Sequence, residues 1–240
     1  MWKIWIMAAL CADAAVAQNI SQPAIQPQDT WTYRRTTETR PETWRQAHFV
    51  GTVLRSSGDS MLLQNKEVDS PNPPREILIN SDWSNFRSLS GKETVVHRPF
   101  AFPMSVGKTW DLEFTDDHPN NKGHKSETRR LKYRVVGWED VEVPAGKFKA
   151  LKIEANGAWT GEVAPRTAAG VATQSSSEGT TAVAQTVNVT AETVTGRLYQ
   201  AYWYAPEVKR EVKSVEENYD TGGVRNARFT NELESYKVAN

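Results

Sequence analysis

Carboxylates and imidazoles that share a short stretch of chain can hold a divalent ion or pass protons. One such stretch is present: Asp116, Asp117, His118 and His124. Their spacing fits no established ligand motif, and a polar turn collects such residues for solvation alone. A hydrolase built on the Asp116–His124 loop is therefore the alternative reading, not the first one. The remaining histidines, His48 and His97, stand apart in the chain. His97, beside Arg98 and Pro99, is of the right type for a general base, yet no nucleophile-elbow motif accompanies it. Gly170, Gly179 and their neighbours lack the spacing and the lysine of a phosphate loop. No catalytic residue, metal site or cofactor is called for by any motif.

Binding chemistry has a better supply of residues. Tryptophans at 31, 44, 83, 110, 138, 159 and 203 follow the first few residues of the chain. Aromatics line grooves for lipid or sugar where they are exposed and fill cores where they are not. Trp110, Tyr133 and Trp203 are the candidate ligand-binding residues, because each belongs to a segment with clear alternation or a recognisable motif. Arg129, Arg130, Lys132 and Arg134 form a basic stripe whose alternation marks a solvated strand face. Lys plus Arg and Asp plus Glu balance at 29 each. Without a clustered basic excess, a nucleic-acid footprint is excluded.

The elements that must position these residues begin after a leader. Met1–Ala17 has Lys3, an apolar run from Ile4 to Ala12, and Ala15-Val16-Ala17. That order is a secretory signal with a small-x-small cleavage site, so a mature chain from Gln18 is expected in the periplasm. The run is shorter than the ~20 residues a membrane span needs, and no later segment reaches that length. No transmembrane segment is expected in the mature chain. Cys11, the single cysteine, falls in the leader, so no disulfide is expected. Residues 18–28, with two prolines, read as an extended arm, and 29–240 as one antiparallel β domain.

Within that domain the period is that of strands. Trp31 and Tyr33 alternate with Thr32; Trp110, Leu112 and Phe114 alternate with Asp111 and Glu113; Leu131, Tyr133 and Val135 alternate with basic residues. Trp44–Arg55 and Ser60–Lys66 flank Ser56-Ser57-Gly58-Asp59 as a hairpin. Asp69–Pro74, with three prolines, is a loop, and Arg75–Asn80 a short strand. Trp83, Phe86 and Leu89, spaced by three after Ser81, predict the one short helix. Val143-Pro144-Ala145-Gly146 is a type I turn. After it the apolar set shifts from Phe148 and Ala150 to Leu151 and Ile153, which requires a bulge or a strand buried on both faces. The stretch of Ala, Thr, Ser and Gly at about 161–182 lacks core formers and reads as a flexible insertion.

Three motifs, FPMSVGKTW (Phe102–Trp110), VPAGKFKALKIE (Val143–Glu154) and WYAPEVKREVK (Trp203–Lys213), resemble an uncharacterised family of exported Gram-negative bacterial proteins. The resemblance implies a periplasmic setting and a curved antiparallel sheet, and no activity. The fold class expected is mainly β: a single curved antiparallel sheet, open barrel or sandwich-like, with little helix outside the leader. The function expected is that of a non-enzymatic binding or scaffold protein of the cell envelope. Its partner would be a lipid or other apolar or amphipathic ligand on a concave sheet face. An envelope protein bound by strand pairing is the remaining reading.

Overall fold

The computed structural model describes residues 19–40, 42–163, 165–176 and 179–239, with side chains described for all but 166–176 and 179–189. The expected leader and its Cys11 lie outside the described residues. Along the chain run β1 (Thr30–Thr39), β2 (Thr43–Ser57), β3 (Ser60–Glu67), β4 (Arg75–Asn80), β5 (Asn85–Leu89), β6 (Lys92–His97) and β7 (Thr109–Asp116). They are followed by β8 (His124–Val143), β9 (Gly146–Val163), β10 (Arg166–Ser176), β11 (Gly179–Val189), β12 (Glu192–Ala205), β13 (Arg210–Tyr219) and β14 (Arg225–Lys237).

Ten strands form one open antiparallel sheet in the order β4-β3-β2-β1-β14-β13-β12-β9-β8-β7. The fold is mainly β, as the alternation predicts. The sheet is strongly curved. Ile77 of β4 and Glu216 of β13 line one cavity although five strand steps separate them. In a flat sheet, at ~4.8 Å per step, they would lie about 24 Å apart.

Bulges at Leu54 in β2 and Glu234 in β14, between β4 and β13, permit this curvature, and the far half of the sheet has its own irregularity. In β8 the register slips between Val135 and Gly137, so Val136 is extra and the side-chain phase reverses. Leu131, Tyr133 and Val135 before the bulge face inward; Val141 and Val143 after it face the other side with Phe148 and Ala150. Both sequence alternatives hold at once: the bulge lies in the partner strand, and β9 is buried on both faces. At Gly157 a Cβ would lie 1.9 Å from the Arg130 carbonyl oxygen, so only glycine lets β8 and β9 approach there.

The structure adds to the sequence reading at four places, and at one of them, the expected helix, it departs from it. The 18–28 arm is packed over its described part: Ile20 exchanges backbone hydrogen bonds with Met104 (2.7 and 2.8 Å), and Ile20 and Ile25 are buried. The helix expected from Ser81 to Leu89 is a tight turn followed by β5. Trp83 adopts φ +68°, and Asp82 accepts hydrogen bonds from the Ser84 amide (2.9 Å) and hydroxyl (2.6 Å), a local pattern that competes with helix formation. Gly161–Val163, placed in the small-residue insertion, complete β9. Beyond them the backbone of β10 and β11 forms a separate two-stranded hairpin.

The segment between β4 and β7, carrying the small β5–β6 sheet, crosses the inner face and covers its apolar half. Phe100 and Met104 have no accessible surface, and Phe100 meets Tyr204 edge-on at 5.0 Å between ring centres. Among the described residues no helix is long and apolar enough to cross a membrane.

Candidate ligand-binding cleft

In the Asp116–His124 loop the two carboxylates and His124 are engaged by neighbouring groups. Asp116 accepts from Arg87 (2.9 Å) and from the His118 amide (2.9 Å), while Asp117 accepts from Ser90. Partial burial raises the Asp116 carboxyl, but the His118 amide and Arg87 outweigh it and hold its pKa below the usual carboxylate range. His124 stacks on Trp159 at 5.5 Å and contacts Glu127 at 3.4 Å. These groups fasten loops to strands. Among the described residues no group of three or more His, Cys, Asp or Glu is placed to hold a metal ion.

Of the three aromatics singled out by sequence, two meet and one does not. Trp110 and Tyr133, opposite each other on β7 and β8, stack with ring centres 5.2 Å apart and planes 5° from parallel. Tyr133 has no accessible surface and donates to Gln200 Oε1 (2.9 Å), while the Trp110 indole donates to the Arg98 carbonyl (3.0 Å). Both therefore lie beneath the covering segment. Trp203 alternates with the inward-facing Tyr202 and Tyr204 and so sits on the outer face. There its indole donates to Glu139 (2.8 Å) and the Lys152 ammonium lies over its ring at 5.4 Å.

The part of the inner face left open is elsewhere, against β1–β4, β13 and β14. A cavity of about 550 Å³ is lined there by Tyr33, Arg35, Phe49, Leu63, Ile77 and Arg210, among others. It adjoins a second chamber of about 340 Å³, with Arg35, Leu63, Ile77 and Arg210 on both linings. The size matches small-molecule sites, which are ~300–1,000 Å³. One wall is apolar (Phe49, Leu63, Ile77), while Asn65, Asn231 and three arginines supply donors.

Register explains this composition. Tyr33 pairs with Phe49 and Leu233, Arg35 with Asn231, Leu63 with Ile77, and Ser214 with Asn231, so these side chains share the inner face. Arg35 Nε donates to Asn231 Oδ1 (2.8 Å), and Asn231 Nδ2 to Ser214 Oγ (2.9 Å). The Arg35 guanidinium also covers Phe49 at 4.9 Å. It is wetted by the open cleft, yet desolvation by surrounding protein lowers its pKa; Glu216 opposes this and Arg210 reinforces it.

Arg210 anchors the floor. Its guanidinium lies 4.3 Å from Trp83, 4.9 Å from Tyr33 and 5.4 Å from Trp31, measured to ring centres, and pairs with Glu211 at 2.9 Å. Burial pushes its pKa down, but Glu211 and then Tyr33 reverse the sign and keep the cation. The Tyr33 hydroxyl donates to the Glu211 carbonyl; burial raises its pKa well above the ordinary phenol value. In the second chamber His97 Nε2 meets Tyr202 Oη at 2.9 Å, and Tyr202 reaches Glu216 at 3.5 Å. These hydrogen bonds satisfy the Tyr202 hydroxyl, whose pKa burial raises well above the ordinary phenol value.

The WYAPEVKREVK motif builds this floor. Pro206 opens a single 3₁₀ turn (Pro206–Val208), and Lys209 follows at φ +65°. The turn's carbonyls then receive two indoles, Trp31 Nε1 on Val208 (2.8 Å) and Trp83 Nε1 on Lys209 (2.9 Å). Lys209 Nζ reaches the buried Asp29 at 3.1 Å, tying the turn to the start of β1. Sequence reasoning marked the motif but not Arg210 and Glu211 within it, and missed Arg35 and Phe49. The available signal was the apolar, aromatic and cationic alternation of Trp31, Tyr33 and Arg35 along one face.

No protein-family model and no curated protein matches the chain. Two solved structures are similar to it. One is a protein described as exported, with a YmcC-like fold, from Bacteroides fragilis NCTC 9343, at 16% identity and TM-score 0.43, covering 92% of this chain and 99% of that one. The other is described as a lipoprotein, from Parabacteroides distasonis ATCC 8503, at 15% identity and TM-score 0.45, covering 91% and 97%. Likeness at this level carries nothing about ligand or activity.

Proposed function

We propose that this chain is a non-enzymatic binding protein of the periplasmic cell envelope that holds an amphipathic ligand in the cleft between β1–β4 and β13–β14. The observation that carries the reading is a cavity of about 550 Å³ with an apolar wall and an opposed set of donors on one sheet face. Such a lining suits a molecule with one greasy and one polar end. The leader at Met1–Ala17 supports the compartment.

Titration of a fluorescent fatty-acid probe into the purified protein tests it. Saturable one-to-one binding is expected, lost on Gly51→Leu, which fills the cavity, and unchanged on Trp203→Phe, which alters the outer face. Absence of saturable binding by the wild type would overturn the reading.

A second reading has its own observation. β4 ends the sheet, and Leu78 on it is 52% exposed. An envelope protein could add a strand to this edge. Leu78→Lys would then dissociate a complex seen by size exclusion while leaving probe binding intact; an unaltered complex would remove β4 as the joint.

A further inference from the structure

We infer that the cleft selects amphiphiles with an anionic head group, a carboxylate or a phosphate monoester, seated on Arg35 with its tail along Phe49, Leu63 and Ile77. This deepens the proposed function and rests on it.

The inference comes from counting charges around the larger chamber. Arg35, Arg75 and Arg210 line it, against Glu67 and Glu211. Both carboxylates are already engaged, Glu67 by Arg45 and Glu211 by Arg210. Arg35 has a single hydrogen bond, from Nε to Asn231, and Arg75 has no ion pair among the described residues. Glu216 of the neighbouring chamber takes the Tyr202 hydroxyl at 3.5 Å and also favours the Arg35 cation, so the first chamber keeps a net surplus of one positive charge, with Arg35 and Arg75 the guanidinium groups that have no ion pair among the described residues.

The positions matter as much as the number. With Nε committed to Asn231, the terminal nitrogens of Arg35 are the groups left to bind a planar or tetrahedral oxyanion, the geometry arginine recognises with two parallel hydrogen bonds. Arg35 pairs with Asn231 on the neighbouring strand and lies over Phe49, so the head-group position adjoins the apolar wall. Ile77, 38% exposed on the same lining, continues that wall toward the edge of the sheet. A free inorganic anion would use the guanidinium groups and leave this wall wet. An uncharged amphiphile would cover the wall and leave the cations uncompensated.

Calorimetric titration of the full mature chain separates the three cases, with dodecanoate, dodecyl phosphate, dodecanol and inorganic phosphate as ligands. Dodecanoate and dodecyl phosphate should bind about tenfold tighter than dodecanol, the scale of one charge-assisted contact. Arg35→Gln should remove most of that advantage and leave dodecanol unaffected, and Arg75→Gln should act in the same direction more weakly. Both side chains are exposed, so the variants should fold, which a melting curve checks. Dodecanol binding as tightly as dodecanoate would overturn the anion inference while the cleft reading stands. Inorganic phosphate binding as tightly as dodecyl phosphate would overturn the role of the tail. No binding by any of the four would overturn both this inference and the proposed function.

Discussion

The Arg210 guanidinium lies 4.3 Å from the ring centre of Trp83, so a cation at the start of β13 is covered by an indole from the turn after β4. Trp83 in turn meets Trp31 edge-on, with ring centres 5.2 Å apart and planes at 83°. Three segments far apart in the chain thus converge on one charge, and they do so beneath the cleft. The floor of the cleft and the integrity of the sheet below it share this cluster.

Arg210→Met should cost about 3 kcal/mol in urea unfolding, because it strips the aromatic cage of its cation and leaves Glu211 without its partner in a largely desolvated place. Arg210→Lys keeps the charge but not the flat, stacked guanidinium, and should cost roughly 1–2 kcal/mol. Wild-type stability in both variants would show that the cage is incidental to folding.

Replacing residues 164–191 with a four-residue Gly/Ser turn should leave the melting temperature within about 3 °C of wild type. Val163 of β9 and Glu192 of β12 already face each other in register, which is the separation a hairpin loop of ~2–5 residues closes. A drop well beyond that range would mean that the β10–β11 hairpin packs on the main sheet.

Alkaline unfolding should be cooperative and coupled to tyrosine ionisation. Burial, the largest cause in each case, raises the pKa of Tyr33, Tyr133, Tyr202 and Tyr204, with nearby glutamates adding to it. A folded pKa above the unfolded value of ~10 means the unfolded chain loses its protons first as pH rises. The stability these groups contribute is therefore full below about pH 10 and is lost as pH climbs toward their folded values. Tyrosinate absorbance and the far-ultraviolet β signal should change together. A stepwise rise in absorbance with the β signal intact would show that these phenols are wetter than the structure has them.

Stability and binding meet differently at the aromatics that sequence alone selected. Trp110 and Tyr133 alternate cleanly on their strands, and alternation does report which face they share. It does not report what covers that face. Here the 98–104 segment takes part in the cover: its Arg98 carbonyl accepts the Trp110 indole, and its Phe100 ring lies against Tyr202 and Tyr204. Trp203 shows the same limit from the other side, since a strand of alternating aromatics presents Tyr202 and Tyr204 inward and Trp203 outward.

By itself the sequence determined the strand periods, the turn at Pro144 and Gly146, and the parity change after Phe148, because each is a property of residues within a few positions of one another. Only the tertiary structure decided where the cleft lies. The bulges at Leu54 in β2 and Glu234 in β14 stand between β4 and β13, which curve round to line one cavity, and Trp31 and Trp83 each reach Arg210 across more than a hundred residues. Such contacts depend on curvature accumulated over many strands, and a local period of two carries no record of it.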